Sequence, residues 1–194
     1  MTDLAAIARA DLSACFDLFE RTADRLETLS AYAVGGAEEE RVRAFRLGLP
    51  RPERSVRTSP WLARVARTTA TGKSWRRIRV LGWPLTEYQR YQLVGYQESA
   101  AAGDVIRIAD RSAHSELAEL DRDFWLFDAD GPQPFAALMT YDDVGRYVRS
   151  EITAAPEAIE RCRAALQLAG RYAVPLNAYL ARLRGTEHPV DHRE

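Results

Sequence analysis

The feature that most constrains this chain is the run Asp123-Phe-Trp-Leu-Phe-Asp128. In an extended strand alternate side chains point to opposite faces, so Phe124 and Leu126 fall on one side and Trp125 and Phe127 on the other. A strand that is apolar on both sides demands a sheet covered on both faces. Phe135 to Tyr141 and Gly145 to Ile152 read as two further strands, and Asp142-Asp143 followed by Gly145 is turn chemistry that predicts a hairpin between them. The remaining elements are expected to pack on this three-stranded slab.

Upstream, Trp75 to Leu81 and Val105 to Ala109 read as strands on either side of a helix from Pro84 to Val94, a βαβ pattern that predicts a parallel pair with a right-handed crossover. Residues 3 to about 22 carry apolar side chains at helical spacing, and Leu26 to Val34 alternates as a strand would, with helix to Leu29 as the competing reading. Glu38 to Leu47 reads as a helix stopped by Gly48 and Pro50, and Arg51 to Ser59 as an irregular loop. Ser59-Pro60 supplies an N-cap and a first-turn proline for a helix ending near Gly72, and residues 112 to 120 could form a short helix. Pro156 opens a long amphipathic helix with Ile159, Cys162, Leu166 and Ala169 inward, and a last helix runs from Pro175 to Leu183. Together these predict an α/β fold, with α+β as the open alternative: one globular domain over residues 1–184, built on a mixed β-sheet flanked by helices, and a polar tail over 185–194.

At 194 residues and 46% hydrophobic content the chain can bury one good-sized core. A formal net charge of -1 gives no global field, which argues against nucleic acid or an anionic membrane as a partner. Lys73 is the one lysine among 27 basic residues, as codon usage in a GC-rich genome would produce. Cys15 and Cys162 sit on apolar faces of predicted helices and read as buried small hydrophobes. No zinc spacing, leader or membrane-length apolar run is visible, so a soluble cytoplasmic protein without cofactor or metal is expected.

No nucleophile elbow, phosphate-binding glycine loop or dinucleotide fingerprint is present, and His114 stands in a polar connector. Asp121, Asp123, Asp128, Asp142 and Asp143 could hold a cation or exchange protons if strand ends converge, although aspartate is also the ordinary residue of turns. The polar set that stands out is Arg77, Arg79 and Arg107. By parity Arg77 and Arg79 share a face, and adjacent strands would add Arg107 to it, leaving the three to pair internally with Glu87, Asp104, Asp123 or Glu151, or to bind an anion. Trp75, Trp83, Tyr88, Tyr91 and Tyr96 fall in the same region, as a stacking platform or as core packing.

Phe19-Glu-Arg21 with Arg25-Leu-Glu27, Gly72-Lys73 with Arg77-Ile-Arg79-Val80, Pro84-Leu-Thr-Glu-Tyr88-Gln-Arg90-Tyr91, Ala102-Gly-Asp104-Val-Ile-Arg107, Asp123-Phe-Trp-Leu-Phe-Asp128, Met139-Thr-Tyr141-Asp142 and Ala173-Val-Pro175-Leu176 resemble, in that order, an uncharacterised actinobacterial family, domain of unknown function six-eight-seven-nine. The resemblance covers the chain from about Phe16 to Tyr179. It implies a regulatory accessory protein, since members commonly stand beside helix-turn-helix regulators, and it supplies no catalytic residue. A weaker architectural likeness is to a phospholipase D-type half domain, but Asp121 and Asp123 stand where that motif needs histidine and lysine, leaving only Asp128. The resulting expectation is a non-enzymatic domain binding a helix-turn-helix regulator or a small anionic ligand. Its candidate binding residues are Arg77, Arg79, Arg90, Arg107, Asp123, Trp125, Asp128 and Tyr141. The alternative is a small enzyme of secondary metabolism using acid–base groups near the arginines, and a homodimer through Trp83 and Tyr91 is a third possibility.

Overall fold

The structure, a computed structural model, describes residues 11–187. Seven strands form one mixed sheet: β1 (Thr22–Glu27), β2 (Ser74–Leu81), β3 (Asp104–Asp110), β4 (Phe124–Phe127), β5 (Phe135–Tyr141), β6 (Tyr147–Thr153) and β7 (Val174–Pro175). Their spatial order is β6-β5-β4-β1-β2-β3-β7. β1, β2 and β3 run parallel, and every other neighbouring pair is antiparallel. The fold is α/β, and β4, β5 and β6 are consecutive neighbours in it. The middle of the sheet is β1.

β1 is where the sequence reading needs correction. The helix expected over 3–22 is α1 (Leu12–Leu18), capped by Asp11, whose side chain accepts the Ala14 N–H at 2.8 Å. Residues 1–10 lie outside the described part. The strand expected over 26–34 begins earlier, at Thr22, and ends at Glu27, because Arg25 and Glu27 point into the protein and not into solvent.

Among the described residues six helices cover the sheet: α1, α2 (Ala37–Arg46), α3 (Pro60–Ala70), α4 (Glu87–Ala101), α5 (Pro156–Tyr172) and α6 (Leu176–Glu187). α6 carries the chain past the tail boundary expected at 185. The segment 112–120 holds only a short 3-10 turn, Ser115–Glu119. On one face of the sheet α5 sets Ile159, Cys162 and Ala169 against Leu26, Val80, Leu126 and Ala136. On the other, Phe16 of α1 and Leu62 and Val65 of α3 close over Trp75, Trp125 and Phe127. α4 lies beside them on that second face, with Leu93 and Tyr96 over Ile106 and Leu81. It starts at a capping box, Thr86 with Gln89, and runs seven residues past the expected Val94.

Two aspartates of the 123–128 run fix the central strand. Asp128, in the left-handed region at φ 50°, accepts the N–H groups of Glu20, Arg21 and Thr22 at 2.8, 2.6 and 3.0 Å, where the chain enters β1. Asp123 accepts the N–H and hydroxyl of Thr28 at 2.8 and 2.9 Å, where it leaves. Because β4 runs antiparallel to β1, one four-residue strand grips its neighbour at both ends. Removing the Asp128 acceptor leaves three N–H groups without a charged partner. We expect Asp128→Ala to lower the free energy of unfolding in urea by about 2–4 kcal/mol. The exposed Asp121→Ala should stay within about 0.5 kcal/mol of wild type, and equal small losses in both would remove the clamp.

Candidate functional site

The register between β1 and β2 sets Arg25 beside Arg77 and Glu27 beside Arg79, so that four charged side chains share the face under α4. Glu27 is the hub. It stands 2.8 Å from Arg77 and 3.5 Å from Arg25, and it accepts the Tyr96 hydroxyl at 2.6 Å. Arg25 also meets Asp123 at 2.7 Å, and Arg77 meets Asp104 at 3.1 Å. Below them lies Trp125, its ring 5.7 Å from the Arg25 guanidinium and 5.6 Å from that of Arg77.

Burial opposes every charge here, and the neighbours decide the outcome. The guanidinium groups of Arg77, Arg25 and Arg79 hold the Glu27 carboxyl well below the usual carboxylate range against the cost of desolvation. Burial pushes the Asp104 carboxyl up despite Arg77, which agrees with Glu27 being the closer partner of that arginine. Burial also pushes the phenol of Tyr141 up to about 12. Among Arg25, Glu27, Arg77 and Tyr141, then, no group exchanges a proton near neutral pH.

This charged floor is open to a cavity of about 560 Å³ between the sheet, α4 and the loop before α3. Such a volume suits a small organic molecule. Arginines tie the loop down: Arg54 Nη1 reaches Gly95 O at 3.1 Å, Ser99 Oγ at 3.2 Å and Glu98 at 3.3 Å. Arg41 of α2 holds both Glu98 oxygens at 2.8 and 2.6 Å and bonds Pro52 O, and Arg51 stands 3.6 Å from the same carboxylate.

α4 gives the cavity Tyr88, Tyr91, Gln92, Gly95, Tyr96 and Ser99, all on one helical face. The Gln92 oxygen accepts from Arg79 Nε at 3.0 Å, and since arginine only donates, this orients the amide and leaves its two N–H groups to offer the cavity. A glycine inside a helix costs about 1 kcal/mol relative to alanine. At Gly95 a Cβ would meet nothing within 4 Å, so no packing forces the glycine there.

Of the residues singled out from sequence, Arg77, Tyr88, Tyr91, Tyr96 and Tyr141 line this cavity, Arg25 donating to the Tyr141 hydroxyl at 3.1 Å. Asp123 and Trp125 lie buried beneath it. Arg79 is fully buried, bonded to Gln92 and to Leu29 O. Three others stand apart. Arg107 is paired in register with Ile78 and not with Arg77 or Arg79, so it projects from the opposite face and donates to Gly170 O and Ala173 O. The expected three-arginine face is therefore two arginines of β2 joined by Arg25 of β1. Arg90 is exposed on the outer side of α4. Asp128 sits at the far end of β4, committed to backbone. Glu87 pairs with Arg46 and not with the β2 arginines. Trp75 is core, while Trp83 is exposed beside a second, smaller cleft.

Arg25, Glu27, Arg41, Arg54, Gln92 and Gly95 were not read from the sequence as site residues, although Arg25-Leu-Glu27 stands among the family motifs. The available signal was that Ala23, Arg25 and Glu27 alternate with Asp24 and Leu26 as a strand does, and that an Arg-x-Glu strand would complement Arg77-x-Arg79. Among the described residues no three of His, Cys, Asp and Glu gather as a metal site requires, and no helix is long and apolar enough to cross a membrane.

The model of one family, described as Domain of unknown function (DUF6879), matches residues 10–181. The chain belongs to that family. No curated protein matches it. The DUF6879 match spans the sheet, the clamps and every residue of the cavity, and lends no support to the phospholipase D-type likeness.

Acid should undo the floor of this DUF6879 domain. A carboxyl held below its unfolded value of about 4.3 contributes stability that is fully present above that pH and is lost as pH falls below it. We expect Glu27→Gln to cost about 3–5 kcal/mol at pH 7, because Arg25 and Arg77 lose a buried partner. The gap to wild type should narrow in urea titrations as pH drops from 6 to 3, and a gap independent of pH would contradict the assignment.

Proposed function

We propose that this domain is a non-enzymatic sensing or accessory module whose cavity captures a small anionic ligand. The observation that carries this reading is a cavity of about 560 Å³ whose walls and floor carry spare N–H donors, Arg54, Arg77 and Gln92, and whose floor carboxylate and phenol, Glu27 and Tyr141, are held away from proton transfer near neutral pH; Glu38 on the wall, its carboxyl pushed up by burial, is the acid–base group that the enzyme reading would use. General acid–base catalysis works best with a pKa near the working pH, and the floor groups lie far from it. Holding is what such groups do well. Guanidinium and amide N–H groups match carboxylate or phosphate oxygens, and preorganised donors lose little freedom when they bind.

The loop walling the cavity also exposes Leu47, Leu49 and Val56 at 64%, 55% and 48%. Large apolar residues held outward beside a ligand site favour an accessory role, in which a protein partner such as a helix-turn-helix regulator reads occupancy through the loop. The test is thermal unfolding of the full chain against a panel of small carboxylates and phosphates. A ligand at a hundred times its Kd stabilises by about 2.7 kcal/mol, which for a chain of this length is a rise of about 5–10 °C. Arg54→Ala should abolish the rise while leaving the unliganded melting temperature within about 3 °C of wild type. Turnover of any panel member that survives in Arg54→Ala would favour the enzyme reading.

A further inference from the structure

We infer that the occupant of the cavity is an aromatic or heteroaromatic ring carrying a carboxylate, with Gly95 as the residue that makes room for the ring. This rests on the reading of the cavity as an anion site and narrows it to one ligand class. Five tyrosines form a continuous belt along the cavity wall. Ring centroids are 5.9 Å apart for Tyr91 and Tyr88, 5.9 Å for Tyr88 and Tyr32, 5.3 Å for Tyr32 and Tyr141, and 6.1 Å for Tyr141 and Tyr147. They come from α4, from the segment after β1 and from the β5–β6 hairpin, so the belt is a product of the tertiary fold and not of one amphipathic stretch. Aromatic walls reward a flat π-surface over an aliphatic chain of equal size, through offset or edge contacts with the rings.

Around α4 the polar groups with capacity to spare are donors, while Glu38 of α2, which also lines the cavity, carries a carboxyl that burial pushes toward its neutral form. Among the described residues Arg54 engages Nη1 alone, and Gln92 keeps both of its amide N–H groups. Two fixed donor groups suit a planar, two-oxygen acceptor. Gly95, whose carbonyl accepts from Arg54, lies on α4 one turn from Gln92 and one from Ser99, and a side chain there would stand in open space on the cavity face. Its helical cost has no packing return, which assigns the vacancy to the ligand.

The test is calorimetric titration of the full chain with indole-3-carboxylate, indole, acetate and inorganic phosphate. We expect indole-3-carboxylate to bind at least tenfold more tightly than the other three. Gly95→Phe, which fills the space, should weaken it at least tenfold without lowering the melting temperature, and Tyr88→Leu, which removes a π-face without filling anything, at least threefold. Acetate or phosphate binding as tightly as indole-3-carboxylate overturns the ring and leaves the anion site standing. Indole binding as tightly overturns the carboxylate and the anion site together. Unchanged affinity in Gly95→Phe, or no binding by any of the four, overturns the inference.

Discussion

Everything in this structure depends on how β4 holds β1. Asp128 collects three backbone N–H groups at one end of the central strand, and Asp123 takes the Thr28 N–H and hydroxyl at the other. Charged acceptors make the stronger class of hydrogen bond, and here they serve backbone that would otherwise lack partners where the ladder stops. The Asp123 carboxylate also binds Arg25 and the Tyr32 hydroxyl, so the clamp that ends β1 is continuous with the floor of the cavity. Fold and site share one side chain.

That continuity explains how a sheet face can carry three arginines where apolar residues would be expected. Removing an ion from water costs several kcal/mol even after pairing, and a paired network is often no more stabilising than the apolar residues that could replace it. Away from the cavity the same face is conventional: Trp75, Phe127 and Phe135 pack under α1 and α3. Charge is confined to the part that α4 and the loop before α3 leave open. Gln92 and Ser99 on the buried side of α4 follow the same division, which is why that helix has almost no apolar periodicity.

The legible parts of the sequence were those where burial is apolar. Phe124 to Phe127 announced a covered sheet, Ile159, Cys162 and Ala169 announced α5, and the Asp142-Asp143-Gly145 turn announced the hairpin, as found. The family was legible as well, through motifs that include Pro84 to Tyr91 and Asp123 to Asp128. The rest failed where buried polar residues imitate a surface. Asp24 and Arg25 carry no apolar signal, so β1 was placed four residues late, and α4 was cut short because Gly95, Glu98 and Ser99 carry none either. Arg107 was assigned to the wrong face because parity within a strand does not fix register between strands. It sits opposite Ile78. Of the site, Arg77 with its Asp104 partner, Tyr141 and the tyrosines of α4 were named, and Arg25, Glu27 and Arg54 were not read as part of it, since the contacts that define it join residues such as Arg25 and Asp123 that are far apart in sequence.

The central claim is that the charges beneath the cavity serve its occupant and not the stability of the fold. The most direct measurement is urea unfolding of a variant in which the set is replaced together: Arg25→Met, Glu27→Leu, Arg77→Met and Asp104→Asn. If the claim holds, this variant unfolds within about 1 kcal/mol of wild type, well above any single-site break of the network. A replaced set less stable than Glu27→Gln alone would contradict it, and would make the buried charges a structural requirement of the sheet.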